Sequence, residues 1–145
     1  MKTPISSEKK DELFRHPESG TLHYGRHFSV CAQGEDAWAC IQMGEGRETR
    51  IALLHAASGR ETVMLEGGGK QVHRPTVLIN PHGEPEIIWD ESVPGGWKIL
   101  HTTLSHDKTS LGGGQTVRAS AQLCLTPVAA YQGDNLHIAW AERIN

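Results

Sequence analysis

The chain contains no run of 18 apolar residues, which excludes a transmembrane helix. Its opening stretch, MKTPISSEKKDELF, holds no apolar segment, so no secretory leader is expected and the protein is assigned to the cytoplasm. Only three cysteines occur, Cys31, Cys40 and Cys124, with no CxxC between them. An odd set without that spacing reads as reduced, buried thiols rather than a disulfide frame. Basic excess is also missing: 14 Lys and Arg stand against 17 Asp and Glu, for a net charge of −3. A general nucleic-acid or membrane-surface binder needs the opposite balance.

Metal spacing is absent as well. His23 and His27 are the most suggestive pair of the nine histidines, but four residues along a strand separate them by about 13 Å. One zinc with bonds of about 2 Å cannot bridge that gap. The glycine runs Gly67–Gly69 and Gly112–Gly114 are not followed by Lys-Ser/Thr and a helix, so they are loops between strands rather than phosphate cradles. No metal or cofactor is expected.

The most informative absence is helical periodicity. Only Glu8 to Arg15 fits a turn of helix, and its charges fit an edge strand equally well. The remainder consists of short segments rich in Val, Ile, Thr and Trp, broken by Gly, Pro, Asn and Asp, which is the pattern of an all-β protein. At 145 residues the chain has room for one domain with a reasonable core.

What is present is a repeat. Three segments align: HFSVCAQGEDAWACI, PTVLINPHGEPEIIW and PVAAYQGDNLHIAW. Each is a hydrophobic strand, a turn around Gly34, Gly83 or Gly133, and a second strand ending at Ile41, Trp89 or Trp140. The turn glycines lie 49 and 50 residues apart, about the size of one four-stranded propeller blade. Third and fourth strands follow in two repeats, RIALLHAAS with ETVMLE and WKILHTTLS with QTVRASAQL, with His55 and His101 at matching places.

The third repeat shows only two strands, whereas the N-terminal part carries a surplus. Leu13 to His16 aligns as a fourth strand, and Thr3 to Ser7 is read as a short third one. The predicted organisation of residues 1–145 is therefore outer strands in 1–24, blades in 25–72 and 73–125, and the inner two strands of a last blade in 126–145. Three blades are too few for a ring, since four to eight is usual. Two chains about a two-fold axis make six, each completing the other's last blade. The partner expected first is thus a second copy, a homodimer; the competing expectations are a piece of a longer six-bladed protein or an open three-sheet domain.

The middle repeat, with Arg74-Pro75, Asn80-Pro81-His82-Gly83 and Ile87-Ile88-Trp89-Asp90, resembles blades of the sialidase-like (neuraminidase-like) six-bladed β-propellers. That superfamily includes sialidases, other glycoside hydrolases and glycan-binding proteins without activity, so fold alone does not select a function. Ser105 to Thr109 occupies the place of its Asp-box but lacks the glycine and the tryptophan. Of the arginine triad expected for a sialidase, Arg26 and Arg74 stand before inner strands, and the third repeat has Thr126. Tyr24 lies near the same mouth with no glutamate assigned to it.

In such a ring Tyr24, Arg26 and His27, then His73 and Arg74, share one face with Glu45, Asp90, Glu91 and Trp97. Arginine offers a planar fork for carboxylates or sugar hydroxyls, and an exposed tryptophan offers a platform for a sugar ring. The predicted ligand-binding set is Tyr24, Arg26, His73, Arg74, Asp90, Glu91 and Trp97, and the predicted ligand is a glycan or another small anion. The competing expectation is that Arg26 and Arg74 pair with Asp90 or Glu91 to join blades. Trp38, Trp89 and Trp140 are expected in the packing between blades. Asp90 and Glu91 point to opposite sides of a strand and cannot form a hydrolase dyad in one chain. A binding module is therefore favoured over a glycoside hydrolase, with a protein-interaction scaffold as the third class.

Overall fold

The structure, a computed structural model, describes residues 27–44, 48–56, 60–66 (backbone), 70–104 and 114–144. Tyr24, Arg26, Glu45, Ser105 to Thr109 and the two expected strands of the first 24 residues lie outside the described residues. Within them the chain is all β. No helix there is long and apolar enough to cross a membrane.

Ten strands form three antiparallel sheets. The first sheet contains β1 (His27–Gln33), β2 (Asp36–Met43), β3 (Arg50–His55) and β4 (Arg60–Glu66), neighbours in that order. The second contains β5 (Gln71–Ile79), β6 (Pro85–Val93), β7 (Gly96–Thr103) and β8 (Gln115–Ser120), again in order. The third is the hairpin β9 (Cys124–Gln132) and β10 (Asn135–Glu142). All the paired strands that the repeat implied in these segments are present.

The first and third hairpins close over two residues, Gly34-Glu35 and Gly133-Asp134, because Gln33 pairs with Asp36 and Gln132 with Asn135. A tight hairpin needs positive φ in its loop, and the glycines supply it at 61° and 58°. The middle hairpin has a longer loop held by Asn80, whose side-chain oxygen accepts from the backbone N–H groups of His82 and Glu84, each at 2.9 Å.

Residues opposed across an antiparallel pair share a face of the sheet. Sorted this way, the sheets stack head to tail. The leading face of the first sheet (Trp38, Cys40, Ile51, Leu53) packs on the trailing face of the second (Val77, Ile87, Trp89, Leu100) in one buried cluster. The leading face of the second (Leu78, Ile88, Ile99) packs on the trailing face of the third (Ala129, Tyr131, Leu136, Ile138, Trp140). Each fully buried Ile or Leu contributes roughly 1.5–3 kcal/mol, so these two seams hold the described part together. Ile41, Met43, Ala52 and Leu54 form a separate buried cluster on the trailing face of the first sheet.

Register also defines equivalent positions. His27, His73 and Leu125 pair with Gln42, Asp90 and Ala141. Two residues later in β1, and three in β5 and β9, Ser29, Thr76 and Val128 pair with Cys40, Ile88 and Ala139. The extra residue is a β-bulge, Arg74-Pro75 opposite Trp89 and Thr126-Pro127 opposite Trp140. The first sheet has an unbroken ladder there, with Phe28 opposite Ile41. Trp89 and Trp140 are thus true equivalents of Ile41, while Trp38 lies on the other face. All three tryptophans pack between sheets, as the repeat led one to expect.

Candidate functional site

The bulges organise the site. Arg74 (φ 45°) and Thr126 (φ 56°) are the only non-glycine residues at positive φ among those described, and each precedes a proline. That conformation costs a residue with a side chain about 1–3 kcal/mol, and a following proline disfavours it further. Its effect is to turn the backbone N–H out of the ladder towards the preceding sheet. Arg74 N–H donates to Gln42 Oε1 at 3.0 Å, and Thr126 N–H donates to Asp90 Oδ1 at 3.3 Å. Gln42 and Asp90 are register equivalents, so one clasp is built twice.

A second polar tie accompanies each clasp. Ser29 Oγ accepts from Val77 N–H at 3.2 Å, and Thr76 Oγ1 donates to the Pro127 carbonyl at 2.7 Å. The two hydroxyls are again register equivalents on leading faces.

Four of the seven predicted ligand-binding residues meet at the second clasp. Arg74 grips Asp90 with both prongs, Nε to Oδ1 at 2.9 Å and Nη2 to Oδ2 at 2.6 Å. Asp90 is fully buried, whereas the Arg74 side chain is 23% exposed. The guanidinium carbon lies 5.9 Å from the centroid of the Trp97 ring, and the His73 ring lies 6.0 Å from Trp97. Because Gln42 Oε1 accepts from Arg74, its amide nitrogen donates to His73 Nδ1 at 3.2 Å. Burial pushes the Asp90 carboxyl above its ordinary range, against the opposing pull of Arg74, the Thr126 N–H and His73.

Of the remaining three, only Glu91 is among the described residues, and it stands apart from this group. Glu91 is buried on the other side of β6 and pairs with Lys70 at 3.3 Å. Tyr24 and Arg26 lie outside the described residues. His27 is exposed at the start of β1. Arg74 does pair with Asp90, the alternative to ligand binding in the sequence, but the pair lies within the second sheet, between β5 and β6, and does not itself join two sheets. The arginine Nη1 makes none of these bonds. Beside Trp97 lies a shallow hollow of about 300 Å³ bordered by Pro94, Gly96, Lys98, Ser120 and Ala121.

A second polar cluster, which the sequence did not flag, sits at the other end of the same seam. Glu86, 5% exposed, receives hydrogen bonds from Tyr131 Oη at 2.7 Å, Asn80 Nδ2 at 3.0 Å and Thr103 Oγ1 at 3.4 Å. His101 Nε2 lies 3.1 Å from it. Burial opposes charge on Glu86, but His101, Tyr131 and Asn80 together hold its carboxyl below the usual carboxylate range. Burial and the neighbouring Glu86 push the Tyr131 phenol well up. His55, aligned with His101 in the sequence, is offset from it by two residues in the register, since Leu53 pairs with Cys40 where His101 pairs with Ile88. It is likewise engaged by an acid, Asp36 at 2.5 Å, and stacks on Trp38 with centroids 4.5 Å apart. An acidic residue inside an otherwise apolar strand start was the available signal for Glu86.

At the outer edge Arg118 and Glu142 form a bidentate pair at 3.1 and 2.8 Å, linking β8 to β10. Cys31, Cys40 and Cys124 are free thiols. Burial raises Cys31 to about 11 and Cys40 to about 12. Among the described residues no group of three or more His, Cys, Asp or Glu converges on a point where a metal ion would be held.

No protein-family model matches the chain, and neither a curated protein nor a solved structure matches it.

Proposed function

We propose that the chain is one half of a sialidase-like six-bladed β-propeller, closed by a second copy, that binds a glycan or other small anionic ligand without turning it over. The observation that carries this reading is the doubled clasp: two successive seams join a leading to a trailing face through register-equivalent residues. A junction repeated with the same sense is how blades progress around an axis. A two-fold pairing of such chains is closed and leaves no end exposed.

The ligand-binding part rests on His73, Arg74 and Trp97 standing together, with Arg74 Nη1 outside the Asp90 pair and the Trp97 hollow next to it. Tyr24 and Arg26 belong to the same proposed mouth. Binding is favoured over hydrolysis because Asp90 and Glu91, the acidic pair expected at that mouth, are each engaged by a cation and face different neighbours. The scaffold reading is favoured by one observation, the bidentate hold of Asp90 on Arg74, which leaves less of the guanidinium for a ligand.

The test is a glycan and anion panel read by direct binding. The proposal expects at least one ligand whose affinity falls about tenfold or more in Trp97→Ala, while Arg118→Ala, at the outer edge, binds as before. A panel without any hit on a ring-sized particle favours the scaffold.

A further inference from the structure

The Gln42 amide has two different ends, and both are committed. A backbone N–H can only donate, so the end that meets the Arg74 N–H at 3.0 Å is the oxygen Oε1. The other end, Nε2, can also only donate, and it meets His73 Nδ1 at 3.2 Å. Nδ1 is therefore the accepting nitrogen, and the ring is neutral with its proton on Nε2. Resting on the reading of His73, Arg74 and Trp97 as a ligand mouth, we propose that Gln42 is the positioning residue of that mouth: it holds the Arg74 bulge and a neutral His73 together, so that proton uptake by His73 releases the bulge.

A charged ring cannot satisfy both ends of the amide. Protonated histidine donates from both nitrogens, which sets the Nδ1 proton against the Gln42 Nε2 protons. Turning the amide over satisfies the ring but puts Nε2 against the Arg74 N–H, which is another donor. Gln42 is 3% exposed, so solvent does not replace the lost acceptor, and a buried donor without one is costly. Arg74 is sensitive to that loss because its φ of 45° runs against the preference of a residue with a side chain. Its guanidinium, 5.9 Å from the Trp97 ring centroid, is carried by the same bulge.

The second clasp is built without this conflict. Asp90, at the position of Gln42, has only acceptor oxygens when ionised, and Leu125 occupies the position of His73. The proton-sensitive clasp is thus the first one, at the seam between the first and second sheets.

The surrounding charges act in both directions. Asp90, the register partner of His73 on β6, favours a charged ring, although both of its oxygens are engaged by Arg74. Arg74, the next residue on β5, opposes it. On β1, His27 is the register partner of Gln42 and opposes it when protonated. Glu91 on β6 faces the other way, with Lys70 bonded to it and Lys98 of β7 opposite it in register. From β9 the Thr126 N–H approaches, uncharged and bonded to Asp90.

Nitrogen-15 NMR on the full chain without ligand tests the proposal. In wild type at neutral pH, His73 should show the Nε2–H tautomer. The hydrogen-exchange protection of the Arg74 amide should fall about tenfold or more as His73 takes up its proton. In Gln42→Glu the two carboxylate oxygens can accept from the Arg74 N–H and from a charged ring at once. There the His73 midpoint should rise by about one pH unit or more, and the Arg74 protection should no longer follow it. An Nδ1–H tautomer in wild type, or Arg74 protection that ignores the His73 titration, overturns the proposal. The wild-type measurements decide by themselves if Gln42→Glu does not fold. Because no ligand is present, that failure leaves the binding reading standing, whereas a glycan and anion panel without a hit removes the mouth and leaves the clasp.

Discussion

The backbone N–H of Thr126 points across the gap between the second and third sheets at the carboxylate of Asp90, 3.3 Å away. The same carboxylate takes both prongs of Arg74 from its own sheet. One buried acid thus fixes a strained bulge in the next sheet and an arginine at the candidate mouth. Gln42 repeats the first of these roles for the N–H of Arg74, with a neutral amide.

Removing Asp90 should accordingly be among the most damaging single changes. Asp90→Ala leaves the Arg74 guanidinium and the Thr126 N–H without their acceptor, and loss of one member of a buried pair costs about 3–5 kcal/mol. Asp90→Asn retains an oxygen for Thr126 and should cost less. Urea denaturation of the three proteins gives the order, and a loss under about 1 kcal/mol for Asp90→Ala would contradict the clasp.

Much of the architecture was legible in the sequence, and the reason is physical. Hairpin glycines and the period near 50 residues place the strands, because turn geometry and side-chain alternation are local properties. The aligned strand ends Ile41, Trp89 and Trp140 prove to be equivalent by register. What local pattern does not carry is which neighbour a side chain reaches. Thr126 reads as a place where an arginine is missing, yet its backbone N–H performs the inter-sheet contact. Gln42 attracts no notice as a neutral residue, and Glu86 and Tyr131 meet across 45 residues of chain.

The Glu86–Tyr131 bond makes a pH prediction. The Glu86 carboxyl is held below its ordinary range, so its contribution is complete above the unfolded carboxylate value, about 4.3, and is lost as pH falls through the lower folded value. The Tyr131 phenol is raised, so its contribution holds below the ordinary tyrosine value, about 10, and fades above it. Tyr131→Phe should therefore cost about 1–3 kcal/mol near neutrality, with the difference from wild type shrinking in strong acid. Denaturation midpoints across pH measure it; a constant difference at all pH values would mean the bond is not made.

Gly114 marks a close approach that a methyl group would disturb. A Cβ there would lie 2.9 Å from Cη2 of Trp89 and 3.3 Å from Leu100, both in the first seam. Gly114→Ala should cost about 1–3 kcal/mol through displaced packing and red-shift the tryptophan emission. An unchanged melting temperature and spectrum would show that Gly114, the residue leading into β8, approaches the indole less closely.

The cysteines should be slow to react in the folded protein. With Cys31 raised to about 11 and Cys40 to about 12, few thiolates exist at neutral pH. Titration with a chromogenic disulfide is expected to register three thiols promptly only after denaturant is added. Immediate reaction of Cys40 in the native state would contradict its enclosure between sheets.

The mass of the native wild-type protein in dilute solution is the most direct test of the half-ring. Sedimentation equilibrium or light scattering at micromolar concentration should return twice the chain mass of 15.9 kDa. A particle that remains at the single-chain mass as concentration rises would contradict it.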